Sequence, residues 1–302
     1  YSLFFINPGI YFQLLGDSPD IIHTIGIRSF QSFIAALVSK QKKIPLVIAD
    51  QGGLTTHPEL KSSSLLKKFF IKLQSPFIKF IINQSTKIIA ANEYEKKIFL
   101  EFTSASKIEI IKNGINLDIL NNKTKNFKKK YDLNTSYILF IGRFSYIKGI
   151  DILLKAIKIL KDDNKLQNIK FVIMGVDFGY QRQMYKIINE FDLENHILII
   201  KNPSREDVLG GYAESEFLVL PSRWELSPLT PLEGFAFKKS VISTNTHGIP
   251  STIKNDYHGI LVESENSKQL AKCILELLNN KEKLISFGLA GYKMIVDECN
   301  SV

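Results

Sequence analysis

The sequence predicts an α/β protein with parallel sheets, organised as two domains. Short apolar runs of strand length alternate with helical patterns along most of the chain, and this alternation is typical of βαβ units. A polar, basic stretch at residues 121–130 (NNKTKNFKKK) separates two such series and has the composition of a domain boundary. We therefore expect one domain over residues 1–122 and a second over residues 123–302.

Composition sets broad limits on the class of protein. The chain has 302 residues, of which 45% are hydrophobic, so it is long enough for two cores. The two cysteines give neither a disulfide framework nor metal-ligand spacing, which favours a reducing compartment and a cytoplasmic location. No uninterrupted apolar run reaches about 18 residues, so no transmembrane helix is expected. The net charge of +9 is compatible with a phosphate-bearing ligand, a membrane surface or nucleic acid, and does not choose among them.

The first domain is predicted to contain alternating strands and helices. Its strands are expected at residues 20–23, 44–49, 87–91 and 107–111, and its helices at residues 29–40 and from Asn92 onward. Residues 65–87 form a further amphipathic helical pattern, whose apolar face includes Leu73, Phe77, Phe80 and Ile81, and Pro76 is expected to kink or divide it. This pattern has two interpretations: a helix that covers the sheet with solvated lysines, or a basic surface that rests on anionic lipid.

The second domain repeats the same alternation. Its strands are expected at residues 137–141, 170–174, 197–200, 217–220, 241–244 and 259–262, and its helices at residues 149–160, 180–191, 205–214, 267–278 and 281–296. Arg143 and Lys148 follow Gly142 in the loop between the first strand and the first helix of this domain. Two cations and the backbone N–H groups of a helix N-terminus suit a diphosphate. The alternative is that both are solvated surface charges.

The stretch at residues 217–245 carries two glutamates that are candidates for a ligand site. Ser227 is expected to be the N-cap of a short helix, with Pro228 as its first residue and Leu229 facing inward. Glu225 precedes this helix and Glu233 lies on it, with seven residues between them. On spacing alone, a partner of the helix dipole for Glu225 and a solvated helix face for Glu233 is the favoured interpretation.

The surrounding segments resemble a known family. The string PSRWELSPLTPLE has the PSxxE and second-Glu pattern of GT4-type retaining glycosyltransferases (glycosyl transferases group 1), and ILFIGRFSYIKGIDILLKAI resembles their GR…KG segment. IPLVIADQGG, KIIAANEYE and IEIIKNGIN occur in the family's order. The resemblance implies the GT-B fold, in which two Rossmann-like domains face a cleft. It also implies an acceptor-binding first domain and a second domain that binds a nucleotide-sugar donor.

The resemblance implies transfer of a sugar from a nucleoside-diphosphate sugar to a hydroxyl of a lipid-linked, glycan or small-molecule acceptor. It places the donor diphosphate against the two cations of the GR…KG loop, and the ribose hydroxyls against the second glutamate. The implied catalytic residues are Arg143, Lys148 and Glu225, and the implied donor-binding residues are Gly142, Ser227, Leu229, Thr230 and Glu233. No DxD pattern is present, so neither a metal ion nor a cofactor is expected beside the donor substrate, and a nucleic-acid partner is not expected.

The acceptor side departs from the family's pattern. Many members carry a histidine after the IPLVIAD strand, where this chain has Gln51, followed by Gly52 and Gly53. Either His57 supplies an imidazole from the same loop, or none is needed. The family's first strand with its Gly-rich loop and its last crossing helix are not found, so we expect the chain to be truncated at both ends. Two alternatives to a transferase are a non-catalytic nucleotide-sugar-binding module and a GT-B epimerase, for which Asp50 is the candidate first-domain carboxylate.

Overall fold

A computed structural model describes the fold of the protein over residues 6–52, 54, 65–120, 126–166 and 168–301, and for residues 65–72 and 119–120 it describes the backbone alone. The chain forms two compact units, Tyr1–Lys112 and Asn113–Val302, and each has its own parallel sheet and its own core. The predicted α/β class with two parallel sheets is confirmed.

The first unit contains a four-stranded parallel sheet in the order β1-β2-β3-β4. Its strands are β1 (Ile22–Ile25), β2 (Leu46–Ala49), β3 (Lys87–Ala90) and β4 (Ile108–Ile110), and its α-helices in the described residues are α1 (Gly9–Gly16), α2 (Phe30–Lys42), α3 (Leu65–Gln84) and α4 (Glu93–Phe99). Thr24, Ile48, Ile88 and Ile108 lie side by side across the four strands. Ile48 and Ile88 are fully buried, as expected for strands covered by helices on their faces.

Over residues 73–84, helix α3 covers this sheet with a face that only partly matches the predicted one. The sequence placed Leu73, Phe77, Phe80 and Ile81 on one apolar face. In the structure Ile81 is buried, but Leu73 and Phe77 are 55% and 48% exposed. Ile78 packs into the core in their place, so the buried face is rotated around the helix relative to the prediction. Pro76 lies inside α3, which runs as one helix rather than two.

The second unit contains a six-stranded parallel sheet. Its strands are β5 (Ser136–Ile141), β6 (Ile169–Gly175), β7 (Ile197–Lys201), β8 (Leu218–Leu220), β9 (Val241–Thr244) and β10 (Gly259–Val262). Its α-helices in the described residues are α5 (Leu117–Leu120), α6 (Phe127–Lys130), α7 (Ile150–Asp162), α8 (Gln181–Glu190), α9 (Arg205–Glu214), α10 (Leu229–Ala236), α11 (Ser267–Asn279) and α12 (Lys281–Glu298).

The strand order of this sheet, β10-β9-β8-β5-β6-β7, places β5 at its centre. The chain runs outward from β5 to β7, returns to β8 on the other side of β5, and then runs outward again to β10. Leu139 of β5 accordingly pairs with Val172 of β6 and with Leu218 of β8. The direction of winding therefore reverses between β5 and β8, and the loops that follow these two strands leave the sheet side by side.

In the part of the chain that the structure describes, no helix combines the length and the apolar character needed to cross a membrane.

Candidate donor site at the carboxyl edge of the second sheet

The reversal between β5 and β8 creates the place where open parallel sheets bind ligands. Loops after such strands diverge and leave a crevice at the carboxyl ends, next to helix N-termini. The loop after β5 contains Gly142, Arg143 and a 3₁₀ turn (Tyr146–Lys148) before α7 begins. The loop after β8 contains Glu225 and leads to α10. The predicted catalytic residues are thus carried by the two loops that meet at this crevice.

Lys148 and Glu225 form an ion pair across the two loops. The side chains are 16% and 15% exposed, so the pair is largely shielded from water. The hydroxyl of Ser222 donates to the same carboxylate oxygen at 2.8 Å, and the backbone N–H of Gly248 donates to the carbonyl of Glu225 at 3.0 Å. Glu225 is therefore fixed through both its side chain and its backbone, and it holds the ammonium group of Lys148 at the crevice.

Glu233 lies on α10 and is held by two residues of α9. The phenol of Tyr212 donates to Glu233 Oε2 at 2.8 Å, and Arg205 Nη1 donates to Oε1 at 3.1 Å. Tyr212 is fully buried; burial, with the adjoining carboxylate of Glu233, raises the pKa of its phenol well above the ordinary value, so it remains a donor. The sequence analysis missed Tyr212 and Arg205. Their spacing of seven places them on one face of α9, but no local motif marks them.

The N-cap residue of α10 differs from the predicted Ser227. Pro228, with an extended backbone, is the N-cap residue, and Ser227 precedes it without capping the helix. Both the hydroxyl and the carbonyl oxygen of Ser227 instead accept hydrogen bonds at 3.1 Å from the side-chain amide of Asn113. Leu229 and Thr230 are the first two helical residues, where backbone N–H groups have no intrahelical partner. The side chain of Leu229 is 51% exposed, whereas the sequence had placed it inward.

Arg143 and Gly142 lie on the β6 side of the crevice. The N–H of Gly142 donates to the carbonyl of Met174 at 3.0 Å, which extends the pairing of β5 with β6. Arg143 is exposed, and its guanidinium carbon lies 5.0 Å from the centroid of the Phe178 ring. This is an exposed cation–π contact, which stabilises by roughly 0.5–1 kcal/mol.

The acceptor-side residues belong to the first unit. Gln51 is exposed and adopts a φ of 51°, and Gly52 is buried with a φ of 100°. The N–H of Gly52 donates at 3.0 Å to Glu95, a buried residue that the sequence analysis missed. Burial raises the pKa of Glu95, and the nearby charge of Asp50 raises it further, although hydrogen bonds from Ala91 and Gly52 oppose both effects. Gly53 and His57 lie outside the described residues.

Asp50 has a structural role in this loop. Its two carboxylate oxygens accept the backbone N–H groups of Ile27 at 2.9 Å and Leu54 at 2.6 Å. The side chain is buried at the end of β2. These bonds join the segment after β1 to the segment after β2. Within the described residues, no group of three or more His, Cys, Asp or Glu side chains is arranged to hold a metal ion.

Comparisons with known proteins give a consistent result for both units. A family model described as glycosyl transferases group 1 matches residues 121–294, and one described as Glycosyltransferase Family 4 matches residues 3–119. An uncharacterized glycosyltransferase of Methanocaldococcus jannaschii is 31% identical over 264 residues, which cover 86% of this chain and 66% of that protein. The UDP-Gal:alpha-D-GlcNAc-diphosphoundecaprenol alpha-1,3-galactosyltransferase of Escherichia coli is 22% identical over 279 residues, which cover 90% and 70%. The chain spans from about half to two thirds of the length of several curated relatives.

Solved structures show the same fold. Anabaena HepE in complex with UDP superposes with a TM-score of 0.80 at 16% identity, over 97% of this chain and 77% of that one. Sucrose-phosphate synthase from Thermosynechococcus elongatus superposes with a TM-score of 0.75 at 18% identity, over 93% and 70%. The predicted GT-B fold is confirmed by these likenesses.

Proposed function

The chain belongs to the glycosyl transferases group 1 family, and we propose that it is a retaining glycosyltransferase. It moves a sugar from a nucleoside-diphosphate sugar to an acceptor hydroxyl. The observation that carries this proposal is the convergence of Lys148, Glu225 and the N-terminus of α10 where the second sheet reverses its winding. Cations and free N–H groups at such an edge suit a diphosphate.

The donor diphosphate binds to Lys148, Arg143 and the N–H groups of Leu229 and Thr230. These groups matter most when the bond to the sugar breaks, because negative charge then accumulates on the departing diphosphate. Fixed donors at the place where charge develops stabilise the transition state more than the bound substrate. The acceptor-oxygen bond to the anomeric carbon forms on the face that the diphosphate leaves, and the hydroxyl proton passes to a diphosphate oxygen.

Glu233 binds the ribose of the donor. A carboxylate accepts hydrogen bonds from two neighbouring hydroxyl groups, and Tyr212 and Arg205 hold this carboxylate in place. Glu225 binds the donor sugar near the reacting carbon. For this to occur, Lys148 exchanges part of its contact with Glu225 for a phosphate oxygen.

The relatives suggest which donor and acceptor to test first. HepE has been crystallised with UDP and with UDP-glucose, and the Escherichia coli relative is named for a UDP-Gal donor and a diphosphoundecaprenol acceptor. We propose a UDP-sugar donor, and a lipid-linked acceptor among the candidate acceptors. Turnover is expected to persist in EDTA, because protein cations hold the diphosphate.

Peripheral membrane association through residues 65–87 would bring the protein to such an acceptor. Leu73 and Phe77 are exposed on α3 and line an apolar cleft of about 450 Å³ in the first unit. Lys79 on the same helix is also exposed, and a helix that exposes both apolar groups and lysines suits an anionic lipid surface. Co-sedimentation with anionic vesicles at low salt is expected to decrease in Leu73→Ser/Phe77→Ser, and no binding by the wild-type chain would reject the association.

The first experiment is a thermal shift of the chain with UDP, GDP and ADP. A nucleotide at about 100 times its Kd adds roughly 2.7 kcal/mol to the free energy of unfolding, which is readily measured. Glu233→Gln is expected to remove the shift, whereas Glu276→Gln on α11 makes the same chemical change away from the crevice and should keep it. An unchanged shift in Glu233→Gln would reject the ribose assignment.

The catalytic assignment is tested by turnover. Lys148→Ala is expected to lower kcat by about 10²–10³-fold, the effect of losing one donor to a developing oxyanion. Lys158→Ala on α7 removes a partly exposed lysine that pairs with Asp162 and serves as the control. Unchanged turnover in Lys148→Ala would reject its role, and nucleotide binding without turnover on any acceptor would favour the binding-module alternative.

A further inference from the structure

Arg223, two residues before Glu225, is a largely buried cation with carboxylates on two sides. Its side chain is 10% exposed. Nη1 and Nη2 each donate to one oxygen of Asp151 at 2.8 Å, which is a bidentate pair. The same guanidinium pairs with Glu265 through Nε and through Nη2, the latter at 3.0 Å. Burial would lower the pKa of Arg223, but the two carboxylates outweigh burial and raise it.

Arg223 also holds the backbone of the turn that leads to Lys148. Its own N–H donates to the carbonyl of Ile147 at 2.7 Å, and Nη1 donates to the carbonyl of Tyr146 at 2.6 Å. The guanidinium carbon lies 3.7 Å from the centroid of the Tyr146 ring, so the two groups are stacked. Arg223 therefore contacts both residues that precede Lys148, as well as Asp151 three residues after it.

These contacts join the two loops of the crevice close to their charged residues. Lys148 lies on the loop after β5, Glu225 lies on the loop after β8, and Arg223 links one loop to the other. We propose that Arg223 is a positioning residue that fixes Lys148 relative to Glu225 and so directs its ammonium group to the donor diphosphate. This inference rests on the diphosphate role proposed above for Lys148.

The geometry explains why this position needs arginine. A guanidinium has five N–H donors in a planar fork, and here the fork serves two carboxylates and a carbonyl at once. A lysine keeps the charge but has one nitrogen and no plane to stack on Tyr146. Arg223→Lys therefore separates the effect of charge from the effect of geometry.

The test is a double-mutant cycle on binding of inorganic pyrophosphate and of UDP, GDP or ADP, measured by calorimetry on the whole chain. Arg223→Lys is expected to raise the Kd about tenfold in the wild-type background and less than about twofold in the Lys148→Ala background, because coupled residues are not additive. A general structural role would raise the Kd by the same factor in both backgrounds, and that outcome would overturn the inference.

A second pair of variants tests the inference without a substitution in the core. Tyr146 is 56% exposed, so Tyr146→Leu removes the stacked ring with little effect on the core, while Tyr146→Phe retains it. Tyr146→Leu should weaken binding only when Lys148 is present, and Tyr146→Phe should match the wild type. Asp151→Asn should raise the Kd as Arg223→Lys does. Asp162→Asn, at the other end of α7, should leave the Kd unchanged. If the wild-type chain bound none of the probes, the proposed function would fall first, and this inference with it.

Discussion

The proposed binding of the donor ribose by Glu233 depends on two neighbouring side chains that hold its carboxylate. A glutamate side chain on a short helix populates several rotamers. It must be held in one of them to bind two hydroxyl groups at once. Tyr212 and Arg205 each hold one of its oxygens, from the same face of α9. The buried phenol restricts the Glu233 side chain more than Arg205 does, because Arg205 is 53% exposed and also forms hydrogen bonds with water.

Tyr212→Phe is expected to weaken nucleotide binding roughly fivefold and to lower the free energy of unfolding by about 1 kcal/mol, the usual effect of one lost hydrogen bond. Tyr137→Phe is a matched control, because the buried phenol of Tyr137 donates at 2.9 Å to the carbonyl of Gly211 rather than to a site residue. Calorimetric titration and urea unfolding of both variants give the comparison. Equal nucleotide affinity in the two variants would contradict the role of Tyr212.

Sequence reasoning identified some of these side chains and not others. Lys148 and Glu225 were found because each belongs to a short local pattern, and the structure joins them. Tyr212 and Asn113 were missed because their partners are distant along the chain, with separations of 21 and 114 residues. Which donor meets which acceptor at such separations is decided by the packing of helices on the sheet, and no local pattern records it.

At the scale of elements, the approach of α7 to the loop after β8 depends on one glycine. Gly149, with a φ of 66°, precedes α7 and lies against the backbone of Pro221. A Cβ at this position would overlap the carbonyl oxygen of Pro221. The close approach brings the turn that carries Lys148 next to the loop that carries Glu225.

Gly149→Ala is expected to destabilise the protein by more than about 2 kcal/mol, because backbone strain and a steric overlap combine. Gly179→Ala is the control: Gly179 has a φ of 88° but no atom within 4 Å of the added Cβ, so only the strain of about 1–2 kcal/mol remains. Urea unfolding of both variants measures the difference. Similar losses would mean that the loop moves to accommodate the methyl group.

The N-terminus of α9 carries a capping box whose stability depends on pH. Asp207 accepts hydrogen bonds from the N–H and hydroxyl of Ser204, and from Lys130 at 2.5 Å. Burial alone would raise the pKa of Asp207, but these hydrogen bonds outweigh burial and lower it from 3.8 to about 2. Because the folded pKa lies below the unfolded one, the contribution is complete above the unfolded value and is lost as the pH falls toward 2.

Asp207→Asn is accordingly expected to flatten the fall in unfolding free energy between about pH 4 and pH 2. Urea unfolding across this range, compared between wild type and variant, measures the slope. Asp162→Asn, which removes an exposed carboxylate from α7, should leave the slope close to that of the wild type. If Asp207→Asn kept the full acid dependence, other carboxylates would be its source.

Several helix starts were predictable from the side chain that caps them. Ser29, Asn92 and Ser204 were expected at helix starts, and each accepts a backbone N–H as an N-cap should. Helix α1 was missed because Pro8, its N-cap residue, makes no side-chain cap bond. Ser227 was wrongly predicted to be an N-cap because its hydroxyl accepts a hydrogen bond from Asn113 instead. This is again a contact between distant parts of the chain.

At the scale of the whole molecule, the chain has two separate cores, so a core substitution in the first unit is expected to change stability without changing ligand binding. Each unit has its own buried cluster, centred on Ile48 and Ile88 in one and on β5 and its neighbours in the other. All the residues proposed to bind the donor belong to the unit Asn113–Val302. The alternation of strands and helices was enough to predict both sheets, because it depends only on local hydrophobic patterns.

Ile48→Val should lower stability by about 0.5–1.5 kcal/mol, as the loss of one buried methylene does, without changing nucleotide affinity. Ile173→Val makes the same change at a fully buried residue of β6 in the second unit and provides a comparison close to the site. Calorimetric titration at a temperature where both variants are folded gives the Kd. A change of more than about threefold in Ile48→Val would contradict the assignment of the donor site to one unit.

The pairing of Lys148 with Glu225 has a consequence for what the crevice admits. The cation is already matched by a carboxylate that Ser222 holds in place, so an incoming molecule must compete with a charge rather than with water. A free sugar has no charge with which to compete, whereas a diphosphate offers several anionic oxygens. If the crevice binds the donor as proposed, ligands should be selected first by charge and then by shape, and neutral sugars are expected to be poor inhibitors.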